Sequence, residues 1–439
     1  METMAIFGPP GTGKTRRLLE LATEILTTTT DVAIVSFSKA AALELVNRST
    51  DLKPKFIGTI HSFCFQILQL VRPQVATIES FIEYYAGMDE DAIKQAIEIG
   101  SLARRLKRPL MDVYLELQSV FISIDQLQYT WDMYNEWKTS RFFYDFDDML
   151  VNALSKIEPF EIVIVDEAQD LSDMQLDVVK AMTKDKLILA GDDDQAIYTW
   201  SGANPHGMQD LATTKEVLSQ SYRVPRAVHR IAMNTVMMIE KREHKPYEPR
   251  PEDGYFQYSE RYDPYNLPPV HAVLCRDQYV MKEIEEELIF QAIPYKMEGV
   301  HGRGLLYGAY GRIIKAMMEK DLETLDKFKN RLPLEIQLGI EAESIPDDWH
   351  DAVPNIPVPW MNYFERVDWQ KEPIILSTIH SQKGKEYDHI VLVATCSPVV
   401  DSLIDSVTTF DNEVRVWYTG LTRAKVGVTL IGNNPYIRL

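Results

Sequence analysis

Eight residues near the start of the chain, Gly8-Pro9-Pro10-Gly11-Thr12-Gly13-Lys14-Thr15, have the types and spacing to hold a phosphate chain. Glycines at the first, fourth and sixth positions allow backbone turns that aim successive N–H groups inward at phosphate oxygens. Lys14 would place a point charge on the β- and γ-phosphates, and the Thr15 hydroxyl would reach Mg²⁺. Pro9, Thr12 and Arg16 complete the stretch expected against the nucleotide. Phosphoryl transfer also needs a carboxylate for the metal and a group to handle the attacking water. Asp166 and Glu167 supply both, directly after the apolar run Ile162–Val165. Asp166 would hold Mg²⁺, largely through water, and Glu167 would orient or deprotonate the water. Without a phosphate loop the same pair would read as an acidic turn or the acid-rich start of a helix.

A third stretch, Leu187–Ala190 followed by Gly191-Asp192-Asp193-Asp194-Gln195, again ends an apolar run in polar residues. The neutral, two-ended amide of Gln195 suits a sensor of the γ-phosphate. Tyr198 and Trp200 follow at once. Alone they would read as ordinary core or surface aromatics. After a phosphate sensor they become candidate stacking platforms for unpaired bases, because every base offers a π-face.

These groups must be carried at the ends of strands. Short apolar runs rich in β-branched residues occur at Met4–Phe7, Val32–Phe37, Glu161–Val165 and Leu187–Ala190. A second set falls at Ala272–Leu274, Ile374–Ser377, Ile390–Ala394 and Val426–Ile431. Strands buried on both faces, alternating with helical segments, predict two doubly wound parallel α/β cores. Residues 70–142 show helical spacing, many aromatics and a basic cluster (Arg104, Arg105, Lys107, Arg108), which predicts a helical insertion in the first core. The cluster has two readings, a lining for a nucleic-acid path or a solvated helix face. Residues 300–370, rich in Pro and Trp, predict a small irregular insertion in the second core.

The ordered motifs resemble the superfamily 1 helicases of UvrD, Rep and PcrA type. Asp166-Glu-Ala-Gln-Asp170 is similar to their second motif and Gly191–Trp200 to their third. Val35-Ser-Phe37-Ser-Lys39 resembles the strand and helix that set an aromatic on single-stranded DNA. Gly58-Thr59-Ile-His61-Ser62 resembles the next, backbone-contacting motif, and Asp145–Leu150 the re-entry from the first insertion. Leu218–Arg223 resembles the Tyr-Arg pair, which implies Tyr222 stacking on adenine and Arg223 on the γ-phosphate. Ser377–Tyr387 resembles the fifth motif, which implies DNA contacts from Thr378 and His380 and a ribose contact from Glu386. Val416–Lys425 resembles the sixth, with Arg423 as its arginine finger.

The resemblance implies two RecA-like cores, with boundaries at 1–69 and 143–215 for the first and 216–299 and 371–439 for the second, and a reduced 300–370 insertion. It implies ATP and Mg²⁺ as cofactors, Arg223 and Arg423 facing Lys14 across an inter-core cleft, and an ATP-dependent DNA helicase or translocase moving 3′ to 5′ on single-stranded or tailed duplex DNA. Alternatives are a translocase that strips proteins with little unwinding, and an ATP-gated DNA-binding adapter. Replication or recombination proteins are the expected partners and a monomer the expected state. Three departures stand out. Only three residues precede the first apolar run, where relatives carry an adenine-reading Gln, so strict selectivity for ATP is not expected. Ser201 stands where the family has Arg. The second insertion is short, a trimming common in phage-type proteins, so weaker duplex engagement is expected.

The bulk numbers fit this outline in all but one respect. With 439 residues, 45% hydrophobic and 25% charged, the chain is a multidomain globular protein. No apolar run reaches the roughly 20 residues needed to span a bilayer, and Met1-Glu2-Thr3 opens no basic leader. Cys64, Cys275 and Cys396 lie far apart in apolar runs and read as reduced thiols, in keeping with a bacterial or phage-infected host cytosol. The exception is the formal charge of -19, which runs against nucleic-acid binding. Where the positive groups lie matters more than their sum.

Overall fold

The computed structural model describes residues 1–37, 53–85, 89–117, 120–298, 316–317, 320–327, 358–368, 370–397 and 407–439. Lys39 and most of the 300–370 stretch lie outside these residues. Internal contacts divide the chain into two compact units. One comprises Met1–Val224, Met233–Pro251 and Leu403–Thr419; the other comprises Pro225–Ala232, Glu252–Ser402 and Gly420–Leu439.

The first unit is built on six strands: β1 (Glu2–Phe7), β2 (Val32–Ser36), β3 (Phe56–Thr59), β4 (Phe160–Asp166), β5 (Thr183–Gly191) and β6 (Thr214–Val217). They are ordered β3-β2-β4-β5-β1-β6 and every pairing is parallel. Side chains alternate between faces along a strand, and both faces are buried. Ala5, Phe7, Ala33, Val35, Val163, Val165, Leu187 and Leu189 fill one side. Ile6, Val32, Ile34, Ile164, Ile188 and Ala190 fill the other, against Leu18 and Ala22 of the helix Lys14–Leu26. Double-sided burial explains the unbroken apolar runs.

Between β3 and β4 the described residues of 70–142 are helical, including Ile78–Tyr84, Glu90–Arg105, Leu110–Glu116 and Ile124–Arg141. Their cores are aromatic and aliphatic clusters around Phe81, Tyr134 and Trp137 and around Ile99, Val113 and Leu127. The chain returns to the sheet through Asp145, which caps the helix Phe146–Ala153 by accepting from the Asp148 N–H at 2.7 Å. Here the basic cluster finds its partners. Arg104 pairs with Asp148 at 2.7 Å and Arg105 with Asp147 at 2.8 Å, while buried Lys138 bridges Asp145 and Asp148. Lys107 meets Asp177, and Arg108 meets Glu116 at 2.7 Å. Lys107 and Arg108 fit the solvated reading, partly exposed and balanced by acidic neighbours, whereas Arg104 and Arg105 fasten the insertion to the re-entry segment.

The second unit holds β7 (Tyr255–Ser259), β8 (Ala272–Cys275), β9 (Tyr295–Glu298), β10 (Ile374–Thr378), β11 (Tyr387–Val393) and β12 (Ala424–Ile431). Their order is β7-β12-β11-β8-β10-β9, again parallel throughout. Val273, Leu376, Val391 and Ile431 form its core with Met281, Ile284 and Leu288 of the helix Gln278–Phe290. Two parallel six-stranded sheets are thus the α/β architecture the two sets of apolar runs predict. All three cysteines are free; Cys64 and Cys275 are buried, and burial pushes the Cys64 thiol up to about 12. Among the described residues, no helix is long and apolar enough to cross a membrane.

Candidate nucleotide site and aromatic platform

The phosphate loop leaves β1 and enters the helix Lys14–Leu26, whose first turn has no side-chain cap. Its N–H groups are therefore left facing outward for an anion. Gly11 and Gly13 sit at φ +76° and +84°, a region L-residues avoid. A Cβ on Gly11 would lie 2.4 Å from the Arg223 Cβ, so this position tolerates no side chain. The Thr12 hydroxyl and the Lys14 ammonium close the loop on itself, donating to the Pro9 carbonyl at 2.8 Å and the Gly8 carbonyl at 2.7 Å. Burial lowers the Lys14 pKa and Arg223 adds to this, against Asp192, Glu167 and Asp166, which raise it. Arg16 does not join the site: its guanidinium pairs with Glu20 at 2.9 Å on an exposed face.

Asp166 ends β4 and accepts the Thr15 hydroxyl at 2.8 Å. Burial and the adjacent Glu167 carboxylate push the Asp166 carboxyl up to about 7. Two hard oxygen donors so close in a buried place fit Mg²⁺. Glu167 has left-handed backbone (φ +54°), a cost of roughly 1–2 kcal/mol for a residue with a Cβ. Its carboxylate accepts from the Gln169 side-chain amide at 2.6 Å, and the other end of that amide accepts the Asp192 N–H at 3.1 Å. Gln169 thus ties the tip of β4 to the tip of β5. Sequence reasoning passed over it, although it lies inside the acidic motif.

Beyond β5, the Asp192 carboxylate accepts from the Gln195 amide at 2.6 Å, and the backbone turns through Asp193–Gln195. Tyr198 lies 5.5 Å from Phe37 by ring centroids and 6.5 Å from Trp200. Trp200 is 67% exposed. Next to this group is a cavity of about 290 Å³ lined by Phe37, His61, Arg105, Phe146, Asp147 and Ser201, among others. His61 packs edge-on to Phe146, and burial, with Arg105 adding, lowers its pKa to about 4, so it is neutral at physiological pH. The Arg105 guanidinium reaches the Ser201 carbonyl at 3.4 Å. Thr59 has a local task, capping the helix Ile60–Ile67 by accepting from the Ser62 N–H at 3.1 Å.

Tyr222 and Arg223 belong to the first unit and not to the second core where they were expected. β6 delivers them to the phosphate loop. The Tyr222 N–H donates to the Gly11 carbonyl at 2.8 Å, and the Ser221 hydroxyl donates to the Pro10 carbonyl at 2.9 Å. The Tyr222 ring is 75% exposed. In the second unit, Thr378 shares a hydrogen bond with Ser381 at 2.9 Å and His380 opens the following turn. Glu386 lines a cavity of about 510 Å³ with Lys425 and His389. Arg423 is buried ahead of β12, and its carbonyl accepts the Tyr387 N–H at 3.0 Å.

A phosphate loop, a carboxylate pair at the tip of one strand and an amide-bearing turn at the tip of the next define a P-loop nucleotide-binding unit, followed here by a second parallel sheet. The chain belongs to the UvrD/Rep helicase family. Residues 1–216 match the UvrD/REP helicase N-terminal domain and residues 363–434 the UvrD-like helicase C-terminal domain. The chain is similar to a DNA helicase II homologue of Mycoplasma capricolum, 22% identical over 55% of this chain and 40% of that protein. It is also similar to the ATP-dependent DNA helicase UvrD2 of Mycobacterium tuberculosis, 23% identical over 65% of this chain and 51% of that one. The ATP-dependent DNA helicase Rep of Buchnera aphidicola is 26% identical over 47% and 36%. The chain therefore spans about half the length of these relatives or less.

Proposed function

We propose that this chain hydrolyses ATP to move along single-stranded DNA, 3′ to 5′, separating strands as it goes. The observation that supports this most is the continuity from the phosphate loop to the aromatic platform. Gln169 links Glu167 to Asp192, Asp192 holds Gln195, and within five residues the same stretch reaches Tyr198 and Trp200. A change at the γ-phosphate has only a short path to the bases.

In this reading Lys14 and the loop amides bind the β- and γ-phosphates. Thr15 and Asp166 would hold Mg²⁺, which when bound offsets charge on the phosphate oxygens. Glu167 takes the proton from the attacking water as the bond to the ADP oxygen breaks, with Gln169 fixing the carboxylate's direction. Gln195 and Arg223 meet the transferred group, and Tyr222 stacks on the base of the nucleotide. Arg423, Glu386, Thr378 and His380 enter the proposal through motif resemblance alone. Phe37, Tyr198 and Trp200 stack on DNA bases.

The test is ATP turnover with and without single-stranded DNA, beside strand separation on 3′- and 5′-tailed duplexes. Stimulation with separation from the 3′ tail supports the proposal. Stimulation without separation leaves a protein-stripping translocase, and no response to DNA sinks the motor. Trp200→Ala is expected to weaken the DNA dependence of turnover by about 1–3 kcal/mol, read as a rise in the DNA concentration for half-stimulation; an unchanged value would remove Trp200 from the platform.

A pH effect follows from Asp166. A carboxyl raised to about 7 keeps its proton below that pH, and Mg²⁺ needs it ionised. Affinity for the magnesium complex of a non-hydrolysable ATP analogue should level off about one unit above pH 7 and fall towards about tenfold per unit below it. Titration calorimetry from pH 6 to 8 would show this slope, and Asp166→Asn would abolish the excess over the analogue's own titration. A flat wild-type profile would contradict the shift.

A further inference from the structure

Asp192, Asp193 and Asp194 are each 0% exposed, and their carboxylate oxygens lie within 4.8 Å of one another. Three buried anions at this spacing demand positive charge. The spacing is that of a cation site, but the chain fills it with its own cations. Lys245, whose side chain is fully buried, places its ammonium 3.0 Å from Asp192 and 3.0 Å from Asp194, and in contact with Asp193. Arg242 grips Asp194 with two bonds of 2.8 and 2.6 Å. Arg415, on the helix Val407–Leu421, donates to the Asp193 carbonyl at 3.0 Å and to the Lys241 carbonyl at 2.7 Å. Lys245 and Arg242 meet the three carboxylates directly, and Arg415 adds its charge at the Asp193 backbone, so the chain supplies the counter-charge itself.

The cage also has a direction. Asp192 gives one carboxylate oxygen to Lys245 and the other to the Gln195 amide at 2.6 Å. The Glu243 N–H donates to Asp193 at 2.8 Å, and Asp411 accepts the Glu240 and Lys241 N–H groups at 3.1 and 3.2 Å. The turn bearing Gln195 is therefore braced by the 240–245 segment, which is itself braced by the helix that carries Arg415. We propose that Lys245 and Arg415 are positioning residues for ATP hydrolysis, fixing through Asp192 and Asp193 where the Gln195 amide points. The inference rests on the reading of Gln195 as the group that meets the γ-phosphate. Burial alone would lower the Lys245 pKa, yet the three carboxylates hold it above the ordinary lysine value, so the brace stays charged.

Two variants separate positioning from mere stability. Arg415→Lys keeps the charge but cannot span the Asp193 and Lys241 carbonyls. The double variant Lys245→Met/Asp193→Asn restores charge balance in the cage while leaving Asp192 without its ammonium, and remains informative if Lys245→Met alone fails to fold. Each would be measured in the full chain for melting temperature, binding of a non-hydrolysable ATP analogue, and kcat and KM with saturating oligothymidylate. The expected result is kcat lowered about 10- to 100-fold, with analogue affinity within about threefold of wild type and the melting transition retained. Wild-type kcat in both variants overturns the inference alone, as does a kcat loss matched by an equal loss of analogue binding. A wild-type chain without DNA-stimulated turnover overturns the functional reading and this inference with it.

Discussion

Glu167→Gln is expected to lower DNA-stimulated ATP turnover by about 10²–10⁴ while leaving nucleotide binding close to wild type. Glutamine keeps the volume of the side chain and an oxygen for the Gln169 amide, which donates to Glu167 at 2.6 Å. What it loses is the ability to accept a proton. In the proposed reading the phosphates are held by Lys14, Thr15 and the loop amides, so affinity has no reason to fall. The left-handed backbone at Glu167 is consistent with a side chain held in place for a task, because such a conformation persists only where its surroundings enforce it. Steady-state turnover beside equilibrium binding of a non-hydrolysable analogue decides the matter. Turnover surviving at the wild-type rate would show that another group handles the water.

Arg223→Ala should be of similar or greater consequence, about 10³-fold in kcat if the guanidinium meets the transferring phosphoryl group. Its backbone is not free to drift: Tyr222 and Ser221 are hydrogen-bonded to the phosphate loop, and the Gly11 position is closed off by the Arg223 side chain. Its charge is felt at Lys14, where it adds to the lowering of the ammonium's pKa. Arg223→Lys should recover only part of the rate, since a point charge cannot reproduce a planar fork of donors. Single-turnover measurements with saturating ATP would isolate the chemical step. An unchanged rate in Arg223→Ala would take this residue out of the reaction.

The acidic composition that argued against a nucleic-acid track is not explained by the internal ion pairs. Many of the carboxylates have partners inside the protein: Asp145, Asp147 and Asp148 with Lys138, Arg104 and Arg105, and Asp192 to Asp194 with Lys245 and Arg242. These pairs already cancel in the net charge of -19, so the acidic excess is carried by other carboxylates. The same pairing removes the Arg104–Arg108 stretch as a ready-made phosphate contact, except where Arg105 borders the cavity beside Ser201.

How far the fold was legible depended on where each strand lies in its sheet. All eight apolar runs are strands, and all occupy interior positions of the two sheets. The four strands the sequence left unmarked, β3, β6, β7 and β9, are the four edges. Thr-Lys-Glu-Val of β6 and Tyr-Lys-Met-Glu of β9 are half-exposed and mixed in polarity. Such segments carry no hydrophobic pattern of their own and become strands only because a neighbour offers an open edge to pair with.

The candidate site divides the same way. Local chemistry determined the phosphate loop, the carboxylates at the end of β4 and the amide and aromatics after β5, because each lies in one short stretch whose residue types are tied to one backbone geometry. Only the tertiary structure decided that Arg223 stands against the phosphate loop of its own unit, that Gln169 joins two strand tips, that Lys245 and Arg242 supply the charge three buried aspartates require, and that Arg415 braces the same turn. Lys245 and Arg415 lie 52 and 222 residues from Asp193 along the chain, and Gln169 lies 23 from Asp192. A counter-charge is selected by distance in space and by burial, and neither has a period or a motif that a linear sequence can display.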